Sequence, residues 1–536
     1  MGSSLRETNL ERLRREHFDI LVIGGGITGA GIARDAALRG LRVALVEQSD
    51  FAAGTSSRSS KLVHGGFRYL ASLQIRIVYQ SLKERGILLR IAPHLVQPMP
   101  FLLPFYSNGP YPVRLLKMGL SLYDFLAGGS QIKPHTILPL RAVLGFAPWI
   151  PREGLIGGAW YYDAITNDAR LVLENIKSAW KAGAVCVNYA KATSLLLRNG
   201  KICGATIHDR LNDETFEVRT SLVINAAGPW SDQVRSLDPT EKRRALRLTK
   251  GIHLVFPHER LPLTYGLNFL SPRDHRPLLA IPWGKFTYVG TTDTDYEGDL
   301  EEPEIERSDV EYLLEALDYG LPTAQLEWGD ILGAWAGIRP LLDARRDIPP
   351  WRVSREDRID VSPAGLITIA GGKLTTYRAM AERVVNLAQS RLPAPSPQIP
   401  SRTASVPLEP KVDRFQELGP DIPEVVQERL NTVYGPHAWE VVKQARTPQD
   451  LEPLHPDIPL CRAEVRLWVR DEMAMTLPDA LERRAGLLVF DPLGFEREAR
   501  VVAAWMGEEF GWDPARVETE VKAYQDLIRR RLRFKG

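Results

Sequence analysis

The residues whose spacing speaks first to chemistry are Gly24, Gly26, Gly29 and Glu47, in the stretch FDILVIGGGITGAGIARDAALRGLRVALVE at positions 18–47. The apolar run Phe18 to Ile23 reads as a strand, the glycines as a turn, Thr28 to Arg39 as a helix, and the run ending at Glu47 as a second strand. In such a βαβ unit Gly24 permits the tight turn out of the strand, Gly26 lets the backbone approach a pyrophosphate, and Gly29 lets the helix pack close to the sheet. The helix N-terminus then presents free N–H groups and the positive end of its dipole to the phosphates. Glu47, about twenty residues on, stands where a carboxylate accepts both ribose hydroxyls. An acid there disfavours a 2′-phosphate, which favours FAD or NAD over NADP.

Directly after the acid, TSSRSSKLVHGGFRYL (residues 55–70) is small, hydroxylated and basic, with a Gly-Gly pair. Such a segment runs along an extended dinucleotide toward its reactive ring. Here the sequence resembles the FAD-dependent glycerol-3-phosphate dehydrogenases, through GGGITGAGIARDAALRGL and SSKLVHGGFRYL together. The resemblance implies FAD as cofactor, held by Gly24, Gly26, Gly29 and Glu47 and by Ser59, Ser60, Lys61, His64 and Gly65. The strand TSLVINAAG (220–228), followed by Pro229 and Trp230, resembles a second flavin-contact motif and brings in Ala227 and Gly228. GGKLTTYR (371–378) resembles a third, with Gly372, Leu374 and Thr375. On its own terms that last stretch is a strand, a Gly-Gly turn and a helix whose N-terminus, around Lys373 to Thr375, can aim N–H groups at a flavin; an ordinary capped helix is the plainer reading.

Further residues acquire roles only through the resemblance. Arg68, Arg339, Arg355 and Lys373 match positions the family uses around a phosphorylated substrate, with Tyr69 beside Arg68. A phosphate dianion suits the forked donors of arginine, although any one of these residues taken singly reads as a surface ion pair. His253, mid-strand in KGIHLVF, reads alone as a satisfied core histidine. The resemblance makes it the general base for the substrate C2 hydroxyl, with Arg339 polarising the forming ketone. Thr291, Thr292 and Asp293 either hydrogen-bond near the substrate or build a turn. The implied reaction is oxidation of sn-glycerol 3-phosphate to dihydroxyacetone phosphate by hydride transfer to flavin N5, with electrons passing to a membrane quinone. The rivals are an oxidase that returns the electrons to oxygen as peroxide, and a non-catalytic flavoprotein that binds a membrane or a protein.

These residues need elements to position them. The alternation of strands and helices predicts α/β and α+β architecture: a Rossmann-like FAD-binding domain, an antiparallel substrate sheet from GIHLVF, LLAIPW, FTYVGTTD and GAWAGIRPL, and a C-terminal helical domain. The expected divisions are an N-terminal extension (1–17), the FAD-binding domain with interleaved substrate sheet (18–390), a proline-rich linker (391–410) and the helical domain (411–536). Residues 1–17 read as a solvated or loosely docked lead-in, with a short basic amphipathic helix carrying Leu5, Leu10 and Leu13 on one face as the alternative, and Asp168 as the cap of a helix running to Ala182. Tyr111 to Gly129, apolar on nearly every face, reads as a buried helix; the alternative is a helix lying in a membrane interface.

Composition bounds the rest. A net charge of +2, from 68 basic and 66 acidic residues, gives no global case for nucleic acid. The cysteines Cys186, Cys203 and Cys461 lie far apart, and the ten histidines form no ligand pattern, so neither a disulfide framework nor a metal is expected. None of the cysteines sits in a flavin-attachment motif. With no apolar run of about 18 residues, the expected location is cytoplasmic and peripheral on the inner face of the cell membrane. Attachment is expected through the 111–129 helix, the basic end IRRRLRFKG, or both; a homodimer is possible.

Overall fold

Runs of Val, Ile and Leu without polar interruption demand burial on both faces, and the parallel sheet of this protein supplies it. The computed structural model describes residues 4–241, 246–342, 353, 356–393, 398–408, 418–456, 458–486, 490–494 and 496–536. Strand His17–Ile23 lies between Glu214–Asn225 and Val43–Val46, parallel to both, and Val43–Val46 pairs in parallel with Val185–Val187. Ile367–Gly371 adds in parallel beyond Glu214–Asn225, and Asp357–Val361 closes that edge antiparallel. Helix Ile27–Leu38 buries Ala30, Ala33, Ala36 and Ala37. It packs so close to helix Tyr377–Gln389 that a Cβ on Gly31 would sit 2.8 Å from the Tyr377 ring.

A second, ten-stranded sheet is antiparallel except where Gly266–Leu270 runs beside Val96–Tyr106. Near one edge, strand Arg247–Pro257 pairs with Phe286–Gly290 on one side and Gly333–Leu341 on the other. Together with the C-terminal helices Glu424–Tyr434, Arg462–Asp471, Glu496–Phe510 and Pro514–Arg531, this is the expected α/β and α+β architecture.

Several elements differ from the sequence reading. Residues 5–15 form a docked helix, closed by a Ser4/Glu7 capping box, with Leu10 and Leu13 buried and Arg6 in a buried pair with Asp209 at 2.6 Å. Burying each leucine is worth about 1.5–3 kcal/mol, enough to hold a short helix that propensity alone would not. Helix Val113–Ala127 is not buried: Leu120, Tyr123 and Ala127 face inward, while Met118 and Phe125 are 67% and 79% exposed. Of the proline-rich linker, the described residues 398–408 are docked, with Arg34 donating to the Val406 carbonyl at 2.7 Å and Ser401 to Asp35 at 2.6 Å. The cap before Ala169 is Asn167, whose side chain accepts the Arg170 N–H at 3.1 Å, which releases Asp168 for other bonds. The basic end is no free tail: Arg531 is buried against Glu302 (2.8 Å) and Glu482 (3.0 Å), and Leu532 and Phe534 enter the core.

Candidate active site

The glycine turn is shaped by contacts that exclude a side chain. Gly24 has φ +114°, and a Cβ there would lie 2.6 Å from the Ala226 carbonyl oxygen, so the turn and the Ala226–Ala227–Gly228 segment touch. A Cβ on Gly29 would land on the Gly24 carbonyl. Gly26 caps the helix without a side-chain bond, and the Ser56 hydroxyl accepts the Ile27 N–H at 3.0 Å. Glu47 is half-buried at the end of its strand and accepts N–H groups from Gly25 (2.6 Å) and Ser49 (2.9 Å). Burial pushes its carboxyl upward, against those two bonds. Beside Gly228, at φ +55°, lies open space.

From this turn the chain leads to a cavity of about 1450 Å³ between the sheets. Arg68, Tyr69, His253, Arg339 and Lys373 all line it, as do Ser59, Ser60, His64, Gly372, Leu374 and Thr375. His253 is 2% exposed, stacked on Trp335 with centroids 4.6 Å apart and 13° between planes, and its Nε2 lies 2.9 Å from the Ser60 hydroxyl. Burial, then the charges of Arg339, Lys61 and Arg276, hold its pKa well below 6.5, so the imidazole is neutral. The Arg339 guanidinium is aimed by the Thr292 carbonyl (3.1 Å), Asp293 Oδ1 (3.1 Å) and the Thr291 hydroxyl (2.9 Å). Thr291 to Asp293 thus fix a cation rather than merely making a turn. Arg276, which sits in no recognisable motif, donates to the same Thr292 carbonyl at 3.2 Å.

Opposite them, the Tyr69 ring carries two cations, the Arg68 guanidinium at 4.9 Å and the Lys373 ammonium at 4.6 Å. The His64 N–H donates to the Thr375 hydroxyl at 3.1 Å, tying the Gly65–Tyr69 segment to the turn Leu374–Thr376. That 3-10 turn stands where the sequence suggested the start of an α-helix; the α-helix begins at Tyr377. Gly372, at φ +88°, has no room for a Cβ, which would lie 2.5 Å from the Met380 side chain.

Two of the expected cofactor residues also have protein partners. Lys61 is buried and turned from the cavity, its ammonium 2.7 Å from Asp168, which also accepts the Ser59 hydroxyl at 2.7 Å. Gly65 packs beneath the Tyr123 hydroxyl and donates its N–H to Asp163 at 2.9 Å. Arg355 lies outside the described residues. Asp163 and Tyr123 escaped sequence reasoning because neither sits in a recognisable motif.

His64 offers a test by acid. Burial, with Lys373, Arg68 and Arg85 nearby, pushes its pKa down to about 3 from 6.5. The unfolded chain binds this proton below pH 6.5 and the folded chain does not, so stability is retained above 6.5 and falls as pH drops, by about 1.4 kcal/mol per unit. Urea unfolding from pH 6.5 to 5 is expected to show a smaller loss in His64→Gln than in the unaltered protein.

The donor set fits a flavin dinucleotide: a side-chain-free phosphate turn, a carboxylate at the end of the second strand, and a chamber reached through small and hydroxylated residues. Fold and site define an FAD-dependent oxidoreductase, and the family model of that description matches residues 19–387. A second model, the C-terminal domain of alpha-glycerophosphate oxidase, matches residues 367–517. The aerobic glycerol-3-phosphate dehydrogenase of Bacillus subtilis (strain 168) is 38% identical over 524 residues, covering 95% of this chain and 94% of its own. That of Staphylococcus aureus (strain USA300) is 37% identical over 544 residues, 98% of this chain and 96% of its own. The crystal structure of the glycerol-3-phosphate dehydrogenase from Bacillus halodurans complexed with FAD superposes with a TM-score of 0.82 at 33% identity, covering 99% and 98% of the two chains. The chain belongs to the family of aerobic glycerol-3-phosphate dehydrogenases.

Proposed function

We propose that the chain oxidises sn-glycerol 3-phosphate at C2 to dihydroxyacetone phosphate and passes the electrons to a membrane quinone. The observation that carries this reading is the gathering of His253, Arg339, Arg68, Tyr69 and Lys373 around one cavity. FAD, when bound, supplies the acceptor for the two electrons and the hydrogen that leave C2. Gly24, Gly26, Gly29, Glu47, Ser59, Ser60, His64, Ala227, Gly228, Gly372, Leu374 and Thr375 hold it, with Lys61 and Gly65 shaping the loop that carries several of them. Arg68, Lys373 and the Tyr69 hydroxyl take the phosphate, and Arg355 completes that set in the family reading.

His253 Nε2 accepts the C2 hydroxyl proton in place of the Ser60 hydroxyl it now faces. A neutral imidazole offers that lone pair at physiological pH. Arg339, held from behind by Asp293, donates to the oxygen as it becomes a ketone.

Anaerobic mixing with glycerol 3-phosphate tests this reading. Bleaching of the flavin band, reversed fast by a quinone analogue and slowly by oxygen, is the expected result. Fast reversal by oxygen with peroxide would make the enzyme an oxidase, and no bleaching of flavin-loaded protein would overturn the substrate. For Glu47, charge-assisted bonds of about 1.5–3 kcal/mol translate into FAD binding weakened about 10- to 100-fold in Glu47→Ala, read by fluorescence titration of the apoprotein.

Membrane docking from one side is supported by Leu73, Tyr111, Leu115 and Met118, which are exposed and line the cavity mouth, and by Phe125 beside them. No helix among the described residues is long and apolar enough to cross a membrane. The helix Val113–Ala127 is the better anchor, because it presents an exposed apolar face, whereas Arg531 of the C-terminal end is buried as above and Arg529 and Arg533 lie beside Asp526 and Glu304. Leu115→Asp with Phe125→Asp is expected to abolish co-sedimentation with lipid vesicles; unchanged binding would move the anchor elsewhere.

A further inference from the structure

Helix Val113–Ala127 has an inner face that grips the segment carrying Arg68 and Tyr69. The buried Tyr123 hydroxyl donates to Asp163, 2.8 Å from Oδ1 and 3.0 Å from Oδ2. The same Oδ1 accepts the Gly65 N–H at 2.9 Å and the Arg85 guanidinium at 2.7 Å, and Arg85 is itself held by the Tyr162 carbonyl at 2.8 Å. Two residues on, the Phe67 ring meets the Tyr123 ring edge to face, with centroids 5.6 Å apart and planes at 89°. A Cβ on Gly119, one helical turn back from Tyr123, would lie 3.4 Å from Phe67. The helix therefore holds Gly65 by a carboxylate bridge and Phe67 by ring packing, immediately before Arg68.

We infer that Tyr123 is a positioning residue for the substrate anion: acting through Asp163, Gly65 and Phe67, it fixes the height and angle at which Arg68 and Tyr69 enter the cavity. This rests on the assignment of Arg68 and Tyr69 to the substrate phosphate. Tyr123 is absent from the cavity wall and touches no reacting group, whereas Asp163 is part of the wall. The geometry is specific to the hydroxyl. Phenylalanine preserves the ring packing on Phe67 but leaves the buried Asp163 short of one donor, and the Gly65 N–H then shares a carboxylate free to follow Arg85 alone. Arg68 and Tyr69 hold the phosphate rather than the reacting C2–H, so their displacement is read first in the binding of substrate.

The test is a double-mutant cycle of Tyr123→Phe and Arg68→Ala in the FAD-loaded enzyme, with inorganic phosphate as a competitive probe. Tyr123→Phe is expected to raise KM for glycerol 3-phosphate about tenfold, the value of one hydrogen bond to a charged group. The phosphate inhibition constant should rise in proportion, with kcat within about twofold and the flavin spectrum unchanged. In an Arg68→Ala background the tyrosine change should act by a clearly smaller factor, through Tyr69 alone. The same factor in both backgrounds, or an unchanged KM for Tyr123→Phe where Arg68→Ala raises it, overturns the inference while leaving the phosphate site intact. An unchanged KM in Arg68→Ala overturns the phosphate assignment itself. Phe67→Leu loosens the same grip without stranding a carboxylate; it should raise KM in the same direction by a smaller factor, and no rise in it counts against the inference should Tyr123→Phe fail to retain FAD.

Discussion

His253→Ala is expected to slow anaerobic flavin bleaching by glycerol 3-phosphate by about 10²- to 10⁴-fold, the usual worth of a positioned general base, with FAD still bound. The expectation follows from how completely the ring is placed. Trp335 stacks on it, its Nε2 faces the Ser60 hydroxyl, and a Cβ on neighbouring Gly290 would collide with it. Of the groups around it, Arg339 and Arg276 are cations, and Asp293 is committed to both of them, at 3.1 and 3.7 Å. His64, also held neutral, belongs to the opposite segment beside Thr375 and is not a substitute. Stopped-flow absorbance reads the effect directly. Bleaching within tenfold of the unaltered enzyme would remove His253 from the proton path.

The second large effect concerns stability. Asp50, three residues beyond Glu47, is fully buried and accepts bonds from Arg483 (2.5 Å), Asn188 (2.9 Å) and Arg484. Burial pushes its carboxyl up, but Arg484 and Arg483 outweigh burial and keep it ionised. Asp50→Ala takes the carboxylate from the buried Arg484, which keeps the Glu472 carbonyl, while Arg483 keeps Asp479 and Glu482; losses of about 3–5 kcal/mol are typical when one partner of a buried pair is removed. A matched control is Asp19→Ala, whose partner Arg42 has a 61% exposed side chain; a surface pair of that kind is worth about 0–1 kcal/mol. Urea unfolding should separate the two variants clearly, and equal losses would mean the buried web contributes no more than a surface contact. Because Arg483 and Arg484 come from the C-terminal region, Asp50→Ala should also loosen FAD held by the adjacent Glu47 strand.

The sequence showed most clearly what is local. Gly24, Gly26, Gly29 and Glu47 announce their roles because a turn, a close approach and a strand end are each decided within a few residues. The antiparallel sheet was visible as short apolar strands, and its site cations through motifs. Faces were harder: the 113–127 helix is apolar at Leu115, Met118, Leu122 and Phe125 as well as at Leu120 and Tyr123, and only neighbours reveal which set is covered. Long-range charge pairing was invisible. Lys61 looks like a ligand contact until Asp168, 107 residues away, is found beside it, and Arg531 looks like tail charge until Glu302 and Glu482 appear. Asp163 shows the same limit, since its partners Gly65, Arg85 and Tyr123 come from three separate segments.

The order in which the chain visits its two sheets has a consequence for how the molecule is made. Residues 17–46 enter the parallel sheet, 62–166 the antiparallel one, 185–225 return, 247–341 cross again, and 357–371 complete the first. The strand at 17–23 is joined by its neighbour 214–225 only after the first excursion, and 214–225 is joined by 367–371 only after the second, so the decisive pairings close very long loops. Folding of such a chain is slow, and neither sheet is a cassette that can be cut out, swapped or expressed alone. A substrate pocket built between such sheets exists only when the whole body has closed, so a half-made chain has nowhere to perform the chemistry prematurely.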